Sequence, residues 1–154
     1  MTIGRLGLVL LPVIAASAGG AAPQSPGFSG HTVSVTITDL RNSDGVVRAC
    51  MTSREDKFPK CRGVATAYSA VIRPRTNQVV VTFDDVAPGR YAIALLHDEN
   101  GNGKADRALG MMPKEGFGFS RDAPVRMGPP KFGDAAFDLD RTDKAMQIRM
   151  RYMM

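Results

Sequence analysis

The amino-acid sequence predicts an all-β protein, a seven-stranded antiparallel Greek-key sandwich with a long irregular insertion after the fifth strand. Three observations carry this expectation. Apolar and polar residues alternate with a period of two through most of the chain beyond residue 30. Turn formers such as Asp44-Gly45, Pro74, Asn77 and Pro88-Gly89 separate these runs at short intervals. No stretch sustains a helical period. A chain of 154 residues suits one domain with a real core, and a hydrophobic content of 44% argues against disorder.

"HTVSVTITDL" opens the domain: Val33, Val35 and Ile37 alternate with Thr32, Ser34, Thr36 and Thr38, the pattern of a half-buried strand. Asp44-Gly45 signals a hairpin, with "VVRACMT" as the return strand. Residues 53–63 form a charged, irregular loop. "VATAYSAVI" reads as the third strand, with Val64, Tyr68 and Ile72 on one parity, and "QVVVTFDDV" as the fourth, with Val79, Val81 and Phe83 on one face. Pro88-Gly89 fits a turn in which the glycine takes positive φ.

The fifth strand, residues 90–97, is apolar on both faces. Tyr91, Ile93 and Leu95 make one face; Ala92, Ala94 and Leu96 make the other. Both faces therefore need cover. The Gly- and Pro-rich segment 99–133 carries Met111, Met112, Phe117, Phe119, Met127 and Phe132, and is the expected cover for the outer face. "AAFDLD" is the sixth strand and "DRTD" a tight hairpin. In the seventh, Met146, Ile148, Met150 and Tyr152 alternate with Gln147, Arg149 and Arg151.

Residues 1–18 have the layout of a secretory signal peptide: Arg5, an apolar stretch, then Ala16 and Ala18 at a small-x-small cleavage position. The apolar run is short of the ~20 residues that span a bilayer and is broken by Pro12, so cleavage is favoured over anchoring. Residues 19–30 make a flexible lead-in and residues 31–154 the sandwich domain. No transmembrane segment is expected after signal removal, and the protein is read as periplasmic or secreted. Cys50 and Cys61 are the only cysteines, and an oxidising compartment favours pairing them as a disulfide over a two-Cys metal site. The formal charge of +5 is scattered without a dense basic run. It gives no footprint for nucleic acid and leaves an envelope component, a polysaccharide or a protein as the class of partner.

Three blocks, "VAPGRYAIALLHDENGNGKAD", "GMMPKEGFGFS" and "GPPKFGDAAF", agree in order and spacing with one known family. Over roughly residues 32–151 the chain resembles the exported bacterial family catalogued as domain of unknown function 2141 (DUF2141). "CMTSREDKFPKCRG" is similar to a branch with a cysteine pair at this place. The resemblance implies a transthyretin-like or carboxypeptidase-regulatory-like sandwich (an immunoglobulin-like one is the neighbouring architecture) and export. It implies no activity.

The candidate chemistry lies in "HDENGNGKAD". Calcium takes six to eight oxygens, and a short loop supplies them by placing Asp or Asn at alternate positions with Gly at the bend. Asp98, Asn100 and Asn102 have that spacing, Gly103 is at the bend, and Asp106 could close the site. The twelfth position is Leu109, so the usual bidentate Glu is missing, and binding is expected to be weak, ~10⁻⁴–10⁻³ M. The other reading is a loop held by Asx-turns, with Gly101 and Gly103 left-handed.

His97 shares parity with the core face of the fifth strand and reads either as a buried histidine or as a ligand-site residue. Phe117 and Phe119 either grip a ligand or cover the fifth strand. These residues favour a non-catalytic binding or envelope-accessory module over two rivals. One is a hydrolase between segment 99–133 and the sheet, using His97 or Ser120; the other is a copper carrier using Met111, Met112 and Met127.

Overall fold

The computed structural model describes residues 30–61, 63–108 and 112–153. The expected signal peptide and residues 19–29 of the lead-in lie outside the described residues, as do Leu109 and Met111. In chain order the strands are β1 (His31–Thr38), β2 (Val46–Thr52), β3 (Tyr68–Ile72), β4 (Val79–Val86), β5 (Gly89–Asp98), β6 (Arg107–Ala108), β7 (Met112–Pro113), β8 (Gly116–Phe119), β9 (Phe137–Leu139) and β10 (Lys144–Arg149). One helical turn, α1 (Phe132–Ala135), precedes β9.

Two sheets face each other. The first has the order β10-β1-β4; the second has the order β3-β2-β5-β8, with β9 also paired to β5. The alternation read in the sequence becomes the interior. Val33, Val35 and Ile37 of β1, Val81 and Phe83 of β4, and Ile148 of β10 meet Val47, Ala49 and Met51 of β2 and Ile93 and Leu95 of β5. Burying each large aliphatic side chain contributes about 1.5–3 kcal/mol, so this layer fixes which face of each strand points inward.

Several expectations need correction. The two main sheets contain eight strands, not seven, and the first is mixed, because β10 runs parallel to β1. "DRTD" is no hairpin: β9 pairs β5 and β10 pairs β1, so residues 140–143 carry the chain from one sheet to the other. Asp44-Gly45 likewise links β1 and β2, which lie in different sheets. Gly45 does hold the positive φ of 60° that such a turn demands. The third strand begins at Tyr68, with residues 64–67 in turns. Near Pro88 the positive φ falls on Asp85, at 55°, while Gly89 starts β5. A period of two specifies which face is buried, but not which strand lies alongside.

The insertion after β5 is also not structureless. Its "GFGF" forms β8, paired antiparallel to β5. Phe117 and Phe119 lie opposite Leu96 and Ala94, on the outer face of β5. There they pack with Ala92, Ala123, Phe132, Ala135 and Ala136 as a second apolar cluster. The small alanines of β5 leave room for the rings, and the cover expected for this face is present. On the inner side of β8 the glycines leave space for the C-terminal strand. A Cβ on Gly116 would fall 2.4 Å from the Tyr152 ring, and one on Gly118 3.0 Å from the Arg149 carbonyl. A backbone bridge from Phe117 to Arg151 then ties β8 to the chain leaving β10, joining the sheets at one edge. Among the described residues, no helix is long and apolar enough to cross a membrane.

Candidate functional site

β5 delivers His97 and Asp98 to one end of the sandwich, and the polar groups gather there. Asp98 is fully buried. Its Oδ1 accepts the Asn102 N–H at 3.0 Å; its Oδ2 accepts the Gly103 N–H at 2.8 Å and Arg48 Nε at 2.7 Å. Burial pushes the Asp98 carboxyl up, but the Arg48 guanidinium and the two backbone donors outweigh it and hold the group below the usual carboxylate range.

The loop that follows is built from Asx-turns. Asn100 Oδ1 accepts the Asn102 N–H at 3.0 Å, and Asn102 Oδ1 accepts the Lys104 N–H at 2.7 Å. Gly101 and Gly103 are left-handed, with φ of 70° and 75°, as the Asx-turn reading of the loop expects. Both asparagine amides donate to Asp106 Oδ2 at 2.7 Å. Asp98, Asn100, Asn102 and Asp106 are thus brought together. Among the described residues, however, no three His, Cys, Asp or Glu side chains are gathered so as to hold a metal ion as they stand.

A further carboxylate reaches this loop from outside. Glu115, just before β8, is 4% exposed, and its Oε2 accepts the Asp106 N–H at 3.3 Å. Its Oε1 is buried without a hydrogen-bond partner. Burial, together with the charges of Asp98, Asp106 and Glu99, pushes the Glu115 carboxyl above its ordinary value, against the pull of the Asp106 N–H. No spacing rule in the sequence points to Glu115, because it returns to the loop only through the pairing of β6 with β7.

His97 is fully buried. The Asp44 carbonyl, which can only accept, lies 2.9 Å from Nε2, so that nitrogen carries the hydrogen in the neutral ring. Nδ1 then accepts from the Tyr152 hydroxyl at 2.7 Å, and the hydroxyl oxygen accepts the Arg41 N–H at 3.2 Å. The Arg41 guanidinium lies over the Tyr152 ring at 4.5 Å and pairs with Glu99. Hydrogen bonding to Arg41 holds the Glu99 carboxyl below its ordinary value. The sequence reading missed this contact of the β1–β2 loop, the β5–β6 loop and the C-terminus.

Ser120 is equally buried; its Oγ accepts the Ile93 N–H at 2.9 Å and donates to the Ala135 carbonyl. It meets β5 four residues before His97, about 13 Å away along a strand. Phe117 and Phe119 are buried in the second cluster. Cys50 and Cys61 are joined in a disulfide, with a Cα–Cα distance of 5.9 Å. Of the methionines considered for copper, Met111 lies outside the described residues, Met112 is on β7, and Met127 is fully exposed. Met127 belongs instead to an open groove of about 710 Å³ whose walls include Arg121, Arg126 and Lys131.

No curated protein and no solved structure matches the chain. One family model does match, over residues 35–147, which runs from the second half of β1 through most of β10 and takes in the loop and Glu115. On that match the chain belongs to the family described as uncharacterized protein conserved in bacteria (DUF2141).

Proposed function

We infer that the chain is an exported, non-catalytic binding or envelope-accessory module in which the 98–106 loop takes a weakly held calcium ion. The observation that carries the non-catalytic part is the commitment of His97 and Ser120. Both are fully buried, and their polar atoms serve structural hydrogen bonds to backbone or to Tyr152. A hydrolase needs a nucleophile and a base converging within about 3 Å of a reacting atom. The disulfide fits an oxidising compartment, in keeping with the leader-like first residues. The groove walled by Arg121, Arg126 and Lys131 fits an acidic envelope polymer as the partner.

The calcium part is tested by thermal unfolding of the mature chain in calcium and in chelator. At about 100 times Kd, calcium raises stability by about 2.7 kcal/mol, and Asp98→Ala removes the difference between the two conditions. A midpoint that ignores millimolar calcium overturns it. Hydrolysis of ester or peptide reporters that vanishes in Ser120→Ala or His97→Ala overturns the non-catalytic reading.

A further inference from the structure

We propose that Glu115 supplies the carboxylate missing from the 98–106 loop, closing a calcium site that also takes oxygens from Asp98, Asn100, Asn102 and Asp106. The inference rests on the reading of that loop as a cation site and names the group that completes it. Within the loop the twelfth position is Leu109, which has no oxygen to give from its side chain. Glu115 reaches the loop from outside it, just before β8. Its Oε2 touches the loop at the Asp106 N–H, 3.3 Å away, and its Oε1 is buried with no donor.

A buried carboxylate oxygen without a donor is costly, and it is the one such side-chain atom among the described residues. A divalent cation answers this difficulty by coordinating Oε1. The donors are carboxylate and amide oxygens only, which suits a hard ion. Their number and flexibility suit calcium rather than magnesium, which demands near-ideal octahedral geometry. On binding, the Asn100 and Asn102 amides give up donation to Asp106 Oδ2, which frees that oxygen for the ion. Arg48 remains on Asp98 Oδ2 and offsets one negative charge, which keeps affinity in the ~10⁻⁴–10⁻³ M range.

The test is calorimetric titration and thermal unfolding of the mature chain with calcium chloride and, separately, magnesium chloride, for the wild type, Glu115→Gln and the exposed control Asp138→Asn. The expected result has two opposite signs. In chelator, Glu115→Gln unfolds at the same or a higher temperature than the wild type, because a buried, unpartnered carboxylate is gone. In calcium it falls below the wild type, with affinity weakened at least about tenfold, while Asp138→Asn matches the wild type in both. If the wild type binds calcium and Glu115→Gln binds it equally, Glu115 is no ligand and the proposal is overturned, while the loop remains a cation site. If the wild type binds no calcium at about 10 mM, both are overturned. If Glu115→Gln is destabilised even in chelator, the carboxylate has a structural job of its own and the proposal is also overturned. Magnesium binding as tight as calcium overturns the choice of ion.

Discussion

Asp122 shows how much one side chain organises. It and Arg121 hold φ of 50° and 60°, unusual for residues with a Cβ. The carboxylate accepts the Arg149 N–H at 3.1 Å and Arg149 Nε at 2.9 Å, while the Asp122 carbonyl accepts from Arg151 at 3.0 Å. Burial pushes the carboxyl up, but these donors outweigh it and hold it below its ordinary value. A depressed folded value means stability that is present above the unfolded carboxyl value of about 3.9 and is lost as pH falls through the lower folded one. Asp122→Asn tolerates the positive φ and keeps an acceptor, so it isolates the charge. It is expected to cost about 1 kcal/mol at neutral pH and to flatten the acid limb of the stability curve below about pH 4, as read by denaturant unfolding across pH. Sequence spacing gives no hint of this contact, because 27 residues separate the partners.

At the scale of elements, the long loop between β2 and β3 does more than join them. Its disulfide pins one end on β2, and Phe58 packs edge-on against Phe119 at 5.9 Å and Phe132 at 6.0 Å. The second apolar cluster is therefore built from three separate stretches of chain. Reduction of Cys50–Cys61 is expected to lower stability by about 3 kcal/mol in the chain-entropy model and to loosen Phe58 from the cluster. Unfolding with and without reductant checks the first effect, and amide exchange at β8 the second. Thiol counting on unfolded, unreduced protein must find no free cysteine. Strands β1 and β4 are legible from their alternation, and β2 and β5 from apolar runs bounded by turn residues. β8 is not: a Gly-Phe-Gly-Phe run looks like loop until Tyr152 and Ile148 are seen filling the space its glycines leave.

Across the whole molecule, the two candidate regions are of different kinds. One end carries a loop tied down by its own hydrogen bonds, while the groove at Arg121, Arg126 and Lys131 is open and basic. An anionic polysaccharide is expected to bind at the groove with an affinity that falls as salt rises past about 0.15 M, where charges are screened beyond about 8 Å. Arg126→Ala with Lys131→Ala should weaken binding several-fold and flatten the salt dependence without shifting the unfolding midpoint. Binding unchanged in that double variant would place the partner elsewhere.

The sequence by itself determined the β character, the inward parity of each principal strand, the cysteine pair, and a loop whose Asp, Asn and Gly residues turn on themselves. All of these depend on neighbours close in the chain or on the alternation of side chains along a strand. Only the tertiary structure decided that β10 runs parallel to β1, that the apparent hairpins at residues 44–45 and 140–143 cross between sheets, and that Glu115 faces the 98–106 loop. Those outcomes depend on which strands find each other across the core. Strand alternation is the same for every partner, so it cannot choose among them; the choice falls to the packing of whole faces and to the space that residues such as Gly116 and Gly118 leave open.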